Sequence, residues 1–220
     1  YSEETLRVLA LAFKQISRED SFEEKDLVFV GVVGLLDPPR HDVKAALALA
    51  RGAGIKVKII TGDNPLTAKA IARELGLEHD GIVLGSELDS LHGEDLKRKI
   101  IENTIFARAN PEHKYKIVNV LQEMGEVVAV TGDGVNDAPA LKKADVGIAM
   151  GIKGTDATRE VADIVLKDDN FSTIISAIEE GRRIYNNILI FVKYMLSANF
   201  ASLIFVGLIS LSGFPLPILA

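Results

Sequence analysis

The feature that most restricts how this 220-residue chain can fold is a long uncharged stretch near its carboxyl end. Charged residues are scattered along the chain as far as Lys193, and none occurs in residues 194–220. A helix needs about 20 apolar residues to cross the ~30 Å hydrocarbon core of a bilayer, and residues 188–211 meet that length. The stretch therefore predicts a membrane-spanning helix, with a buried helix of a soluble protein as the alternative.

Charge and composition restrict the remaining possibilities. Arg182, Arg183 and Lys193 lie on the amino-terminal side of the apolar stretch, which places residues 1–187 in the cytoplasm by the positive-inside tendency. The net charge of −6 argues against a nucleic-acid partner, since such binders are usually basic. The absence of cysteine excludes disulfides and thiolate metal sites.

Short runs rich in Val and Ile alternate with amphipathic segments between residues 27 and 166. Such continuous apolar runs are typical of parallel strands that are covered on both faces. The predicted strands are residues 27–36, 55–61, 81–84, 104–107, 127–131, 146–149 and 163–166, and the predicted helices are residues 42–51, 66–75, 94–102, 112–123 and 136–142. The alternation predicts an open α/β sheet.

Two of the predicted strands end in the same tripeptide, Thr61-Gly62-Asp63 and Thr131-Gly132-Asp133. One such triplet is an ordinary turn sequence. Two copies, each closing a buried strand, indicate a shared function, because ligands of open α/β sheets bind beyond the carboxyl ends of the strands. The sequence therefore predicts a site at this edge of the sheet.

The second triplet continues into Gly134-Val135-Asn136-Asp137, which brings two carboxylates and an amide together. Asp133, Asn136 and Asp137 form the oxygen ligand set that Mg²⁺ prefers. Capping of a following helix is the alternative role for the two aspartates. It would explain one of them, but not both together with Asn136.

Lys114 follows a predicted strand at a predicted helix start. An ammonium group beside the N–H groups of a helix start suits a developing phosphoryl charge. The alternative is an ordinary solvated lysine, which the position at the same sheet edge as the aspartates disfavours. The neighbouring His113 is expected to be a surface residue, since no other histidine lies at metal-binding spacing.

Three of these segments together resemble signatures of P-type cation-transporting ATPases: Thr61-Gly62-Asp63, the segment around Arg108 and Lys114, and residues 131–139. The resemblance continues in the same order through Asp37-Pro38-Pro39-Arg40, residues 140–151 and residues 181–187. It implies a haloacid dehalogenase-like Rossmann fold with a mainly parallel sheet, followed by a long helix that enters the membrane. It further implies three parts: residues 1–26 as the end of a nucleotide-binding domain or a linker, residues 27–170 as the phosphorylation domain, and residues 171–220 as a stalk and transmembrane helix of a multi-pass protein.

The resemblance implies a reaction in which ATP phosphorylates an aspartate in the presence of Mg²⁺, with hydrolysis coupled to cation transport. Asp133 matches the Mg²⁺ ligand, and Asn136 and Asp137 stand beside it. Thr61 matches the hydroxyl that holds the phosphoryl group, and Lys114 matches the cation that neutralises it.

Five further residues match positions of the family that face the nucleotide. Asp37 and Arg40 match the hinge where the nucleotide domain joins, and Gly62, Asp63 and Arg108 match the nucleotide side of the cleft. The expected partners are ATP, the transported cation, the lipid bilayer and the remaining domains and helices of the same pump.

One family motif is missing from the sequence, because the nucleophile-bearing Asp-Lys-Thr-Gly-Thr occurs nowhere in the 220 residues. We therefore expect a fragment that carries the Mg²⁺- and phosphate-binding half of the site and is inactive alone. A soluble haloacid dehalogenase-like phosphatase is an alternative, although Asp37 lacks the second acid two residues later that such enzymes use. A non-catalytic membrane-anchored fragment is another.

The apolar stretch contains one candidate ligand for the transported ion. Asn199 matches an ion-coordinating asparagine of calcium pumps, and Ser202 stands where those pumps often have a glutamate. The loss of that charge predicts one ion per cycle, calcium or manganese, with another ion altogether as the alternative. A helix–helix hydrogen bond is the alternative role for Asn199. Residues 154–171 also look most like calcium pumps.

Overall fold

The computed structural model describes residues 7–15, 23–35, 39–77 and 81–213. The chain divides into two compact units, Tyr1–Ser172 and Thr173–Ala220. The first unit holds the α/β elements, and the second holds most of one long helix.

The strands of the described chain are short and most of them are followed by a helix. The strands are β1 (Arg7–Phe13), β2 (Val28–Leu35), β3 (Ile59–Ile60), β4 (Ile82–Leu84), β5 (Ile105–Ala107), β6 (Ala129–Gly132), β7 (Val146–Met150) and β8 (Ile164–Leu166). The helices are α1 (Val43–Gly52), α2 (Pro65–Glu74), α3 (Gly85–Ser90), α4 (Gly93–Glu102), α5 (Pro111–Glu123), α6 (Ala138–Lys143), α7 (Asp156–Val161) and α8 (Phe171–Ser212), and a 3₁₀ turn covers Val135–Asp137. The sequence predicted all of these except β1, α3, α7 and the separate 3₁₀ turn, which overlaps the start of the predicted helix 136–142.

Six strands form two parallel sheets, which confirms the predicted α/β class. One sheet has the order β3-β5-β4 and the other has the order β6-β7-β8. In β3 only Ile59 and Ile60 pair with β5, so this strand is shorter than predicted. The two strands that end in Thr-Gly-Asp, β3 and β6, belong to different sheets, and each lies at an edge of its sheet, as β4 and β8 do.

The prediction that residues 27–36 form a parallel strand covered on both faces was wrong. Strand β2 pairs antiparallel with β1, from Arg7 opposite Leu35 to Phe13 opposite Val28. Its side chains are largely exposed, with Phe29 at 65%. An apolar run has the same composition in either orientation, so the run alone could not reveal that β2 pairs with the preceding segment in an antiparallel ribbon.

The core of the first sheet is formed by side chains of its strands and of the helices that cover it. Phe106 of β5 is fully buried and packs with a cluster of apolar side chains from β4, α3, α4 and α5. Helices α2 and α5 begin with Pro65 and Pro111, where a missing N–H costs least. Asn64 and Asn110 cap these helices by accepting backbone N–H bonds. These caps fix the start of α5 directly after β5.

The predicted long helix is confirmed as α8, which runs for 42 residues without a break. It is long and apolar enough to cross a membrane, and the side chains of its apolar window are exposed. An exposed apolar surface of this size is typical of a helix that lies in a membrane or packs against other helices.

Candidate functional site

The first Thr-Gly-Asp segment forms a tight loop after β3. The Thr61 hydroxyl donates to a carboxylate oxygen of Asp63 at 2.9 Å, and the Asp63 backbone N–H donates to the Thr61 hydroxyl oxygen at 3.1 Å. Thr61 is half-buried, whereas Gly62 and Asp63 are exposed. The loop therefore presents a hydroxyl and a carboxylate at the end of the strand.

The loop after β5 is bonded to this first loop through backbone atoms. Arg108 N–H donates to Asp63 O at 3.0 Å, and Ala109 N–H donates to Thr61 O at 2.9 Å. Arg108 has a φ of 49°, in the left-handed region that few non-glycine residues adopt. The structure thus brings Thr61, Asp63 and Arg108 together at the ends of β3 and β5.

Lys114 lies in the first turn of α5, which begins immediately after the Arg108 loop. Its ammonium nitrogen lies 2.5 Å from Oδ1 of Asp137. The two side chains are only 20% and 13% exposed, so the pair is largely withdrawn from water. This ion pair links the first sheet, through α5, to the loop after β6.

The loop after β6 is closed by the carboxylate of Asp137. Its Oδ2 accepts the Gly134 N–H at 3.2 Å, while its Oδ1 faces Lys114. A Cβ placed on Gly132 would lie 2.4 Å from the Asp137 Cβ and 2.7 Å from its Cγ. A glycine is required at position 132 because the Asp137 side chain occupies the space that a Cβ would need.

The Asp133 and Asn136 side chains are exposed on the same loop. Within the described part of the chain, the Asp133 carboxylate makes no hydrogen bond or ion pair, so its oxygens are available to a ligand. Its backbone carbonyl accepts the Thr155 N–H at 3.0 Å. The oxygen donors of Asp133 and Asn136 fit Mg²⁺, which takes few protein ligands and keeps several waters. The described residues contain no cluster of three or more His, Cys, Asp or Glu side chains suited to a metal ion.

Helix capping accounts for only one of the two aspartates. Asp137 receives the Gly134 N–H at the 3₁₀ turn, but makes no side-chain capping bond to α6. Asp133 makes no such bond in the described structure. The capping alternative therefore leaves Asp133 without an explanation.

The expectation that His113 is a surface residue was wrong. The residue is 5% exposed, its Nδ1 accepts the Asn110 N–H at 3.1 Å, and its Nε2 lies 2.8 Å from Asp89. A Cβ on Gly85 would lie 2.5 Å from the His113 ring nitrogen. The histidine is buried because Gly85 leaves room for its ring beside the start of α5.

The other predicted site residues belong to other segments of the chain or lie outside the described residues. Asp37 lies outside the described residues. Arg40 donates to the backbone carbonyl of Asp168 at 3.3 Å, just before α8. Asn199 is exposed on α8, and the Ser202 hydroxyl donates to the Ala198 carbonyl at 2.9 Å.

Sequence reasoning missed Asp169, which has a φ of 51° and is 7% exposed. Burial opposes its charge, but the N–H groups of Ile152, Lys153 and Gly151 outweigh burial and hold the pKa of the Asp169 carboxyl below its usual value. The only available signal was an acidic pair between a strand and a helix, which is also a common surface pattern.

Two comparisons with known proteins place these features in a family. A family model described as haloacid dehalogenase-like hydrolase matches residues 4–145, and a second model with the same description matches residues 114–178. The matched segments contain both Thr-Gly-Asp loops and Lys114.

Curated relatives match almost the entire chain. Calcium-transporting ATPase 1 of Bacillus cereus is 49% identical over 99% of this chain and 25% of its own length. Calcium-transporting ATPase type 2C member 1 of Homo sapiens is 46% identical over 99% of this chain and 24% of its own length. The endoplasmic reticulum-type calcium-transporting ATPase 4 of Arabidopsis thaliana is 52% identical over 87% of this chain and 19% of its own length.

The chain thus spans about a quarter of the length of the first two relatives. Their names confirm the resemblance to P-type cation pumps, and the parallel sheets confirm the expected fold class. The chain belongs to the haloacid dehalogenase-like hydrolase family and, within it, is similar from end to end to a segment of calcium-transporting P-type ATPases.

Proposed function

We propose that this chain is part of an ATP-driven calcium pump. It supplies the Mg²⁺- and phosphate-binding half of an aspartyl-phosphate site and one membrane helix of the ion pathway. ATP, the transported cation and the remaining domains and helices of the pump are its partners. Residues 1–187 are cytoplasmic, and residues 27–170 act as the phosphorylation domain.

The observation that carries this proposal is the pair formed by Lys114 and Asp137. A mostly buried ammonium group 2.5 Å from a carboxylate is held in one position. Enzymes that transfer phosphoryl groups act chiefly by positioning and by charge neutralisation. An ammonium already fixed at the end of the strands meets both requirements, because little reorganisation is needed when a phosphoryl group arrives.

The roles of the surrounding residues follow from their donors and acceptors. The Thr61 hydroxyl, which donates to Asp63, can turn to donate to a phosphoryl oxygen. Asp133, with Asn136 beside it, would hold Mg²⁺, which when bound neutralises phosphate charge. Asp137 keeps the Lys114 ammonium in place and closes its own loop through Gly134.

Nucleotide binding is proposed for the neighbouring loop. Gly62, Asp63 and Arg108 lie together at the end of β3 and β5, and Arg108 is exposed. Its guanidinium can pair with phosphate oxygens in a bidentate manner. Asp37 and Arg40 are proposed to act at the hinge toward the nucleotide domain.

Calcium, or manganese, is the proposed cargo, and Asn199 is its proposed ligand on α8. The names of the relatives support calcium. Ser202 lies one helical turn from Asn199 and supplies a hydroxyl rather than a carboxylate, which favours one ion per cycle. Its hydrogen bond to Ala198 leaves the hydroxyl lone pairs available to a cation.

A soluble phosphatase with this fold is disfavoured by α8. Such an enzyme would have no use for a long apolar helix with exposed side chains. The relatives that cover this helix are named as ion transporters.

The test uses the full-length pump and measures phosphoenzyme formed from labelled ATP with Mg²⁺. We expect Asp133→Asn and Lys114→Ala to lower the phosphoenzyme level at least ~100-fold, since each removes a charge that stabilises the phosphoryl group. Lys116→Ala, two residues along α5, is the matched control and should stay within about twofold, because its ammonium bonds to the Leu88 carbonyl instead. Normal Mg²⁺-dependent phosphorylation of Asp133→Asn would refute the metal-binding role.

A further inference from the structure

Hydrogen bonds, together with the short backbone segments between them, connect the Asp133 loop to the start of α8. The first step of this series is the bond from Thr155 N–H to the Asp133 carbonyl oxygen, at 3.0 Å. Thr155 also caps α7, because its hydroxyl accepts the Thr158 N–H and Thr158 is fully buried. A displacement of the Asp133 backbone therefore acts on a residue that is fixed to the domain core.

The second step is the loop of residues 151–154, which precedes Thr155. The Arg159 guanidinium donates to the carbonyl oxygens of Gly151 and Gly154, both at 2.9 Å. A Cβ on Gly154 would overlap the Met150 carbonyl, and a Cβ on Gly151 would lie 2.5 Å from the Leu166 carbonyl. The loop is thus held on both sides and has little room to deform.

The third step is Asp169. One of its carboxylate oxygens accepts the Ile152 N–H at 2.9 Å, and the other accepts the Lys153 N–H at 2.7 Å. The residue keeps this position despite a φ of 51° and near-complete burial. A conformation of this kind in a non-glycine residue persists only where the surrounding contacts require it.

The last step leads into the helix. Asn170 follows Asp169, and its side-chain oxygen accepts the Ser172 N–H at 3.0 Å in the first turn of α8. The Ser172 hydroxyl donates to Asp42 at 2.9 Å, and Arg40 donates to the Asp168 carbonyl. Residues 168–172 thus receive contacts from the loop beside the metal site and from the segment that follows the proposed hinge.

We propose that Asp169 is the positioning residue that couples the phosphate site to the membrane helix, through the 151–154 loop on one side and the Asn170 cap on the other. The inference rests on the proposed pump function and adds a residue to it that touches neither phosphate nor ion. It assigns a reason to the left-handed conformation and to the burial of this carboxylate. Each carboxylate oxygen of Asp169 accepts one of the two amides, so a movement of either the Ile152 or the Lys153 amide acts on the Asp169 side chain.

The test substitutes Asp169 by Asn in the full-length pump reconstituted in vesicles. Asparagine tolerates a positive φ, but its NH₂ group would face one of the two N–H donors. We expect phosphoenzyme formed from inorganic phosphate and Mg²⁺ to stay within twofold of the wild type. The number of calcium or manganese ions moved for each ATP hydrolysed should fall at least threefold, since the site works but no longer drives the helix.

The matched control is Asp163→Asn, which removes a carboxylate that accepts a backbone N–H of β7, from Gly147 at 2.7 Å. It has a comparable local bond but lies outside the series that leads to α8. The control should retain the wild-type ratio of ions to ATP. An unchanged ratio in Asp169→Asn, or an equal fall in both variants, would overturn the coupling role.

A second measurement tests the coupling role of Asp169 if the Asp169→Asn protein does not accumulate, or if the wild-type pump moves neither calcium nor manganese. Hydrogen exchange of the α8 first-turn amides is measured in the wild-type pump with and without Mg²⁺ and inorganic phosphate. If Asp169 couples the two sites, Mg²⁺ and inorganic phosphate must change the hydrogen-exchange protection of the α8 first-turn amides and also that of the Ile152 and Lys153 amides. If protection near Asp133 changes while these amides do not respond, the coupling is refuted. A wild type that moves no ion refutes the pump function, whatever the exchange shows.

Discussion

At the scale of single residues, the two glycines of the second Thr-Gly-Asp loop, Gly132 and Gly134, differ in how much space there is for a Cβ atom. A Cβ on Gly132 would collide with Asp137, whereas a Cβ on Gly134 would lie 3.7 Å from the Asp137 carboxylate, an ordinary contact. Gly134 also has a φ of −99°, which any residue adopts. The two positions therefore form a matched pair in which only one substitution disturbs the carboxylate that holds Lys114.

We predict that Gly132→Ala lowers phosphorylation of the full-length pump by inorganic phosphate at least tenfold, while Gly134→Ala stays within about threefold. The added methyl group must displace Asp137, and overpacking of this kind costs about 1–3 kcal/mol. Phosphoenzyme level is the measurement, with thermal stability of both variants as the control for folding. Equal phosphorylation by the two variants would show that the Asp137 position does not matter.

At the scale of elements, α8 carries the proposed ion ligand. Asn199→Ala in the full-length pump should weaken the dependence of ATP-driven phosphorylation on calcium by at least about tenfold, because Ca²⁺ takes six to eight oxygen ligands and loses one. Phosphorylation by inorganic phosphate should persist, since that reaction needs only the cytoplasmic site.

Ser197→Ala on the same helix is the control for this prediction, because its hydroxyl already donates to the Lys193 carbonyl. Phosphoenzyme is measured against calcium, manganese, magnesium and sodium. If Asn199→Ala responds to these ions as the wild type does, Asn199 has a packing role instead.

The elements also show why some of this structure could be predicted from the sequence. Parallel strands such as β5 are buried on both faces, and their apolar runs and the Pro65 and Pro111 helix starts are local signals. The pairing of β2 with β1 is not local in this sense, because an apolar run does not specify its partner. The six-residue helices α3 and α7 are too short for a helical period to stand out.

For the candidate site, the sequence suggested some residues but gave no signal for the positions of others. Thr61, Lys114 and Asp137 were predicted as site residues on the premise that strand ends meet at one edge of a sheet. The structure has the two Thr-Gly-Asp segments on strands of separate sheets, and Lys114 of α5 pairs with Asp137 of the second loop. The burial of His113 depends on a glycine 28 positions earlier in the chain, and the position of Asp169 depends on amides that precede it by 16 and 17 residues. Contacts of this kind form between residues that are distant in the sequence, so no local sequence pattern predicts them.

At the scale of the whole molecule, the 220 residues contain the proposed phosphate-binding loops but no Asp-Lys-Thr-Gly-Thr segment. We predict that this chain alone, incubated with labelled ATP and Mg²⁺, forms no acid-stable phosphoenzyme. The physical reason is that the loops neutralise a phosphoryl group but offer no family nucleophile to accept it. Acid quench and filtration provide the measurement, with the full-length pump as the positive control. Stable labelling of any residue of the chain, Asp37 above all, would contradict the prediction.

The length of α8 has a mechanical consequence. At 1.5 Å per residue, its 42 residues extend about 63 Å, roughly twice the ~30 Å hydrocarbon core of a bilayer. If a stiff rod of that length turns by about 5° at one end, the other end moves by about 5 Å. That displacement is about twice a calcium–oxygen distance of roughly 2.4 Å. A continuous helix of this length is therefore a lever, since a rotation of a few degrees at one end becomes a displacement of several ångströms at the other.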